Sequence, residues 1–329
     1  MVVRSLALCA LSLAGCFGPD AREGLRCSAF GRCPDGQHCY QVDGQPVCLA
    51  APPGDAADPD NPIILFGVPV PVELMCDTGE TPCRSPRDPA LTDNRTQMAF
   101  TIDAVNAAGD RDVYLARRAT AEDMWDTAAP AGAIDTTLVE EGSWMTGNGL
   151  ALYFARDDQA VAGPPYDDLW VSERVDVTAG FDTAAPVAGA VNTSRGSERW
   201  AARTADGSAL VFARALEGAP DDHDLYLARD RGGQWDTVAH LPQLSAADGD
   251  ERSLAVVEEE KTLFFSRGEH IIEARWTGDD LATAEVIGVH DELLVAGATL
   301  VSGVWASADA KEIWFGACTD TCDVYRAIR

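Results

Sequence analysis

Lysine is nearly missing from this chain. Lys261 and Lys311 are the only two among 25 basic residues, set against 53 acidic ones. The formal net charge is −28 over 329 residues, and a surface of that sign repels phosphate backbones, so nucleic acid is excluded as a partner. Histidine is scarce as well: there are five, and no two stand at the spacing of paired metal ligands. G-x-S-x-G, the phosphate-binding P-loop, H-E-x-x-H and the dinucleotide fingerprint do not occur, which removes the familiar signatures of hydrolases, nucleotide enzymes and zinc proteases. No apolar run approaches the roughly 20 residues that a membrane-spanning helix needs. Helical periodicity is absent from 62–329, which leaves β-structure as the reading for most of the chain.

What is present begins at the amino end with "MVVRSLALCALSLAGC". Arg4 precedes an apolar stretch from Leu6 to Leu13, followed by small residues, the layout of an export signal. "LAGC" at Leu13–Cys16 resembles the lipobox of bacterial lipoproteins. That resemblance implies a signal peptide over 1–15, acylation of Cys16 and a chain anchored to the cell envelope without spanning the bilayer, on its periplasmic or outer-membrane surface. Several acyl chains on Cys16 would hold it there at about 0.8 kcal/mol per buried CH₂.

Ten cysteines are present. With Cys9 in the leader and Cys16 carrying lipid, eight remain, an even number suited to disulfides in an oxidising compartment. Cys27, Cys33, Cys39 and Cys48 crowd into a stretch too poor in aliphatics to bury a core, so two staples must hold 16–48 together. Three pairings are open, and a zinc site including His38 is the weaker alternative. Cys76 with Cys83, and Cys318 with Cys322, are close enough to close small local loops. Residues 49–61, rich in Pro, Gly, Ala and Asp, read as a linker. The main domain then runs over 62–329.

That domain repeats itself. "DVYLAR", "DLWVSE", "DLYLAR", "HIIEAR" and "DVYRAI" begin at 112, 168, 224, 270 and 323, at intervals of 56, 56, 46 and 53 residues. An apolar strand stands before each ("MAFTID", "LYFARD", "LVFARA", "LFFSRG", "IWFGAC"), with a turn and a further strand upstream. A fourth strand follows as "WDTAAP" at Trp125, "FDTAAP" at Phe181, "WDTVAH" at Trp235 and "LATAEV" at Leu281. Four short strands per unit at a period near 50 predict propeller blades. Runs such as "ALYFA" and "ALVFA" are apolar on both faces, as in sheets covered on two sides. The last unit stops at Arg329 without its fourth strand, while "ILFGVPVPVE" at 64–73 has no blade before it. The expectation is an all-β, five-bladed β-propeller closed by its N-terminal strand and preceded by a small disulfide-rich segment.

Asp88 to Arg118 ("DPALTDNRTQMAFTIDAVNAAGDRDVYLARR") and Glu198 to Asp230 ("ERWAARTADGSALVFARALEGAPDDHDLYLARD") resemble the WD-repeat-like, TolB-type propeller repeat. The resemblance implies protein or ligand binding in the bacterial envelope and transfers no catalytic residue.

Site candidates are few. Asp112, Asp168, Asp224 and Asp323 recur before the third strand and read as turn caps, with the arginines at strand ends as their partners. Glu140, Glu198 and Glu251 share one repeat position on the innermost strand. They either support their own blades or ring the channel mouth as paired acids of a carbohydrate hydrolase. The loops carrying Asp157, Asp158 and Tyr166, and Asp221, Asp222 and His223, leave one face and are the binding-loop candidates. No cofactor is expected; Ca²⁺ at the acidic 221–224 loop is the single metal alternative. A binding or scaffold role toward an envelope protein or glycan is the leading reading, and the hydrolase its rival.

Overall fold

The computed structural model describes strand segments at 25–26, 38–42 and 45–49, and residues 64–329 apart from 78–81, 104–109, 158–166, 217, 220–221 and 247–248. Near the amino end, β1 (Leu25–Arg26), β2 (His38–Val42) and β3 (Gln45–Leu49) form a small sheet ordered β1-β3-β2. Cys39 stands directly opposite Cys48 in its hairpin. Cys16, Cys27 and Cys33 lie outside the described residues.

From residue 64 onward the chain builds five four-stranded antiparallel sheets. A lone strand, β4 (Val70–Pro71), comes first. Blade one is β5 (Arg87–Leu91), β6 (Gln97–Asp103), β7 (Arg111–Arg117) and β8 (Ala129–Pro130). Blade two is β9 (Glu140–Met145), β10 (Ala151–Asp157), β11 (Asp167–Glu173) and β12 (Ala185–Pro186). Blade three is β13 (Gly196–Arg203), β14 (Ala209–Leu216), β15 (His223–Asp230) and β16 (Trp235–His240). Blade four is β17 (Glu251–Val257), β18 (Thr262–Arg267), β19 (His270–Arg275) and β20 (Glu285–Val289). Blade five is β21 (Leu300–Ala306), β22 (Glu312–Cys318) and β23 (Cys322–Ile328), completed by β4.

The innermost strands β5, β9, β13, β17 and β21 neighbour one another in turn, and β21 returns to β5. The disc is therefore closed. Five apolar clusters fill it, one between each pair of neighbouring blades. Leu152 and Phe154 of β10 face blade one while Tyr153 faces blade three, which is why that strand is apolar on both sides.

Closure follows the expected route. Pro71 and Val70 pair with Tyr325 and Arg326. Gly67 N donates to Ile328 O at 2.8 Å and Val72 N to Val324 O at 2.8 Å. The strap thus covers the edge of β23 that would otherwise stand open. Both local disulfides, Cys76–Cys83 and Cys318–Cys322, are formed.

Two sequence expectations need correction. The fourth strand of blade four begins at Glu285 and not at Leu281, because Asp280 caps a 3₁₀ turn over Leu281–Thr283 through Ala282 N. The arginines of the second strands find their acids on the first strand: Arg156, Arg214 and Arg267 turn inward to Glu140, Glu198 and Glu251.

Candidate functional site

Each innermost strand carries a register break of the same kind. At each break sits a residue of positive φ: Asp88 (52°), Gly142 (66°), Trp200 (47°), Ser253 (53°) and Gly303 (60°). A β-bulge bends its strand and re-aims the local side chain, and here five of them meet around the axis. Asp88 Oδ2 accepts from Gly142 N at 3.1 Å, and Gly303 N donates to Ser253 Oγ at 2.7 Å. A Cβ on Gly303 would lie 2.1 Å from the Asp88 Cα, so only glycine fits there. A Cβ on Gly142 would touch the Trp200 ring at 3.0 Å. All five residues are buried, and Trp200, the largest, is 7% exposed. The centre of the disc is filled by the chain itself.

One residue before each bulge stand Arg87, Glu141, Arg199, Arg252 and Ser302, at the end of the axis from which the second-to-third strand loops emerge. Arg87 and Arg111 both reach Asp103. Arg111 and Arg199 converge on Glu141, the latter at 2.6 Å. Arg199 Nε also donates to Asp167 at 2.6 Å, joined there by Ser197 Oγ at 2.9 Å. Arg252 pairs with Asp250, whose other oxygen receives His223 Nδ1 at 2.8 Å. The guanidinium groups of Arg199 and Arg252 lie 5.6 Å and 5.1 Å from the Trp200 ring. The mouth is a lattice of alternating charge contributed by blades one to four. Burial would raise the Glu141 carboxyl, but the charges of Arg199 and Arg111 outweigh it and hold the group below its usual range. Asp88, buried beside Glu141, is pushed up.

Glu140, Glu198 and Glu251 sit one step further back, each fully buried. Arg156 Nε donates to Glu140 at 2.9 Å, Arg214 Nε to Glu198 at 2.9 Å and Arg267 Nε to Glu251 at 2.6 Å. The same guanidinium groups bind carbonyls of Ile134, Val191 and Leu244 in the crossing from the previous blade. Thr193 adds its hydroxyl to Glu198 at 2.8 Å. Burial pushes Glu198 and Glu251 up to about 7 against these donors. The geometry gives each acid a basic partner within its own blade and ties that blade to its neighbour.

Of the loop candidates, His223 opens β15 with its ring edge-on to Trp200 at 5.2 Å. Its Nδ1 faces Asp250 and its Nε2 is buried without a partner among the described residues. Asp222 is exposed beside it, and Asp157 ends β10. Asp158, Tyr166 and Asp221 lie outside the described residues. One cluster went unnoticed in the sequence. Asp112, Asp135 and Glu140 bring carboxylate oxygens within 4.8 Å of one another, a spacing that could hold a metal ion. Burial and the adjacent Asp135 push the Asp112 carboxyl to about 7. The signal was available: "AIDTT" around Asp135 repeats as "AVNTS" around Asn192, whose amide bonds both the N–H and the C=O of Leu169.

A groove of about 300 Å³ lies elsewhere, at the rim between blades one and two, lined by Arg117, Asp126, Pro130 and Gly132 among others. No helix among the described residues is long and apolar enough to cross a membrane.

The ring of bulges, the five interblade cores and the strap define a five-bladed β-propeller. No family model matches the chain, and no curated protein matches it. Among solved structures it is similar in fold to the α-L-arabinofuranosidase PaAbf62A from Podospora anserina, seen in complex with cellotriose. The TM-score there is 0.51 at 9% identity, over 82% of this chain and 99% of that one. A putative TolB from Agrobacterium tumefaciens matches with TM-score 0.43 and 11% identity over 74% and 73% of the two chains. The Pseudomonas aeruginosa periplasmic gluconolactonase PpgL gives 0.43 and 14%, over 71% of this chain and 66% of its own.

Proposed function

We propose that this protein is an exported, lipid-anchored binding module of the cell envelope, presenting the charged axial mouth and its loops to a protein or glycan partner. One observation carries the reading: the axis is filled by Asp88, Gly142, Trp200, Ser253 and Gly303, all buried. A glycosidase needs two carboxyl groups about 5–10 Å apart across an open pocket, whereas Glu140, Glu198 and Glu251 are each closed off against an arginine. Rigid blades with polar loops at one end suit recognition. The neighbour solved with cellotriose makes glycans a sensible first screen.

The test is a glycan and peptide array probed with the mature protein. Binding is expected to fall about tenfold in Asp222→Arg, on the mouth face, and to be unchanged in Met124→Asp on the opposite end. A tenfold loss is about 1.4 kcal/mol. Equal binding by both variants moves the site away from the mouth. Turnover of any glycan that Glu198→Gln abolishes replaces the binding reading with the hydrolase. Palmitate labelling that disappears in Cys16→Ala tests the anchor separately; labelling that persists removes it.

A further inference from the structure

At the end of the disc away from the mouth, three arginines share one buried carboxylate. In an antiparallel blade the turn from first to second strand lies opposite the second-to-third loop, so Arg95, in that turn of blade one, belongs to this far end. Two more arginines gather around it: Arg118, directly after β7, and Arg326, on β23 of the adjoining blade five. The guanidinium groups of Arg118 and Arg326 lie 5.7 Å and 5.6 Å from the same indole, that of Trp314. Glu312 is the buried carboxylate. Its Oε1 accepts from Arg326 Nε at 2.5 Å and from Trp314 Nε1 at 2.7 Å, and its Oε2 accepts from Arg95 Nη1.

Arg118 is left over. Its Nε donates to Arg95 O at 2.7 Å and its Nη1 to Asp123 O at 3.4 Å. Its Nη2 is buried with no partner among the described residues. The residue is 8% exposed, and its guanidinium lies 4.0 Å from the Trp125 ring. Blade two shows the complete arrangement. Arg174, at the matching position after β11, donates to Gly149 O at 2.6 Å, to Ala179 O at 3.4 Å and, through Nη2, to Gln97 Oε1 at 2.6 Å. Gln97 opens the second strand of the blade before it, as Glu312 does for Arg118. The repeat thus provides an acceptor, and in blade one Arg95 and Arg326 draw it away. Arg95 holds the turn position that Gly149 has in blade two, at φ 57°, where glycine is the cheaper residue. Burial, and next the charge of Arg326, push Arg118 below its ordinary range. A buried donor left unmade on a charged group is costly. Glu122, on the exposed turn nearby, also reaches Arg118, but an exposed charge is screened by salt.

We infer that Arg95, Arg118 and Arg326 form an oxyanion site, for a phosphate or sulfate group, on the face opposite the mouth. Guanidinium forks match the oxygens of such a group in pairs. The side chains of Arg95 and Arg326 are 34% and 28% exposed and grip the group directly. Arg118 lies beneath, covered by the half-buried Trp125, and its unspent charge adds to the pull.

The test is arginine modification by phenylglyoxal on the full chain, read by peptide mass, in sodium phosphate against sodium chloride of equal ionic strength. Saturating phosphate is expected to slow modification of Arg95 and Arg326 about tenfold and to leave Arg231, exposed on blade three, unchanged. By calorimetry, phosphate is expected to bind Arg95→Gln with Arg326→Gln at least about tenfold more weakly than the unaltered chain. The modification experiment needs no substitution, so the test holds if the double variant does not fold. Equal modification in phosphate and chloride overturns the inference, as does undiminished phosphate binding by the double variant. Phosphatidylcholine–phosphatidylglycerol vesicles distinguish the source of the group. Protection by the vesicles as well as by phosphate assigns a lipid headgroup; protection by phosphate alone assigns a soluble ion or ester.

Discussion

Arg214 has two acidic residues facing it in its blade, and the outcome illustrates what a single residue decides. Arg214 stands opposite Glu198 on one side and Asp224 on the other, so spacing alone permits either pair. The ion pair forms with Glu198, the buried choice, because a low-dielectric site strengthens the attraction and leaves no water to solvate an unpaired charge. Arg214→Ala strands that carboxylate and is expected to destabilise the fold by about 3–5 kcal/mol in urea titration. Arg214→Met with Glu198→Gln is expected to recover most of the loss. Asp112 is raised as well: burial and the neighbouring Asp135 lift its carboxyl to about 7, from an ordinary value of 3.8. The folded state then binds the extra proton, so stability falls as pH rises from about 4 to 7. Asp112→Asn is expected to flatten that slope, followed by thermal melting across the window. That the three glutamates share a position was legible in the repeat; which arginine atoms meet them was not, since register places two acids within reach.

At the scale of one element, the strap over 64–72 holds the ring shut. Phe66 is 1% exposed, and Arg329 sits 4.4 Å above its ring. Phe66→Ala is expected to cost about 3–5 kcal/mol and to raise exchange at 64–72 before any other segment. The contacts that pin it titrate. His290 lies between Glu292 and Glu273, at 2.7 Å and 2.9 Å, and Arg329 also reaches Glu273. Burial opposes both charged forms, yet the hydrogen bonds win: His290 is raised above 6.5 and Glu273 is lowered below 4.5. The histidine's contribution is complete below 6.5 and fades as pH rises through its folded value. The glutamate's is complete above 4.5 and fades as pH falls through its own. Closure is therefore expected to be tightest near and below neutrality, weakening at both extremes, and His290→Ala is expected to remove the alkaline limb and to shrink the acid one, because His290 is the first hydrogen-bond partner that holds Glu273 down. An unmatched strand at one end and a missing one at the other made the strap readable in the sequence. Its lock was hidden, because Phe66, His290 and Arg329 stand more than 200 residues apart along the chain at the widest.

Over the whole molecule, charge and closure act together. A net charge of −28 makes the compact disc repel itself, while the buried glutamate–arginine pairs are shielded from salt. Raising ionic strength from about 0.01 to 0.15 M shortens the Debye length from roughly 30 to 8 Å, so the melting temperature is expected to rise with salt. A fall would show that exposed ion pairs outweigh the repulsion.

Blade number, strand order and the closing route were written in the chain, because each blade is a local pattern of apolar runs and turns that repeats where neighbours must stack. The filled axis, the charge lattice at its mouth and the pairing of each glutamate came only with tertiary structure. Those contacts join single residues from different blades, and no local pattern encodes which of them the closing of the ring brings face to face.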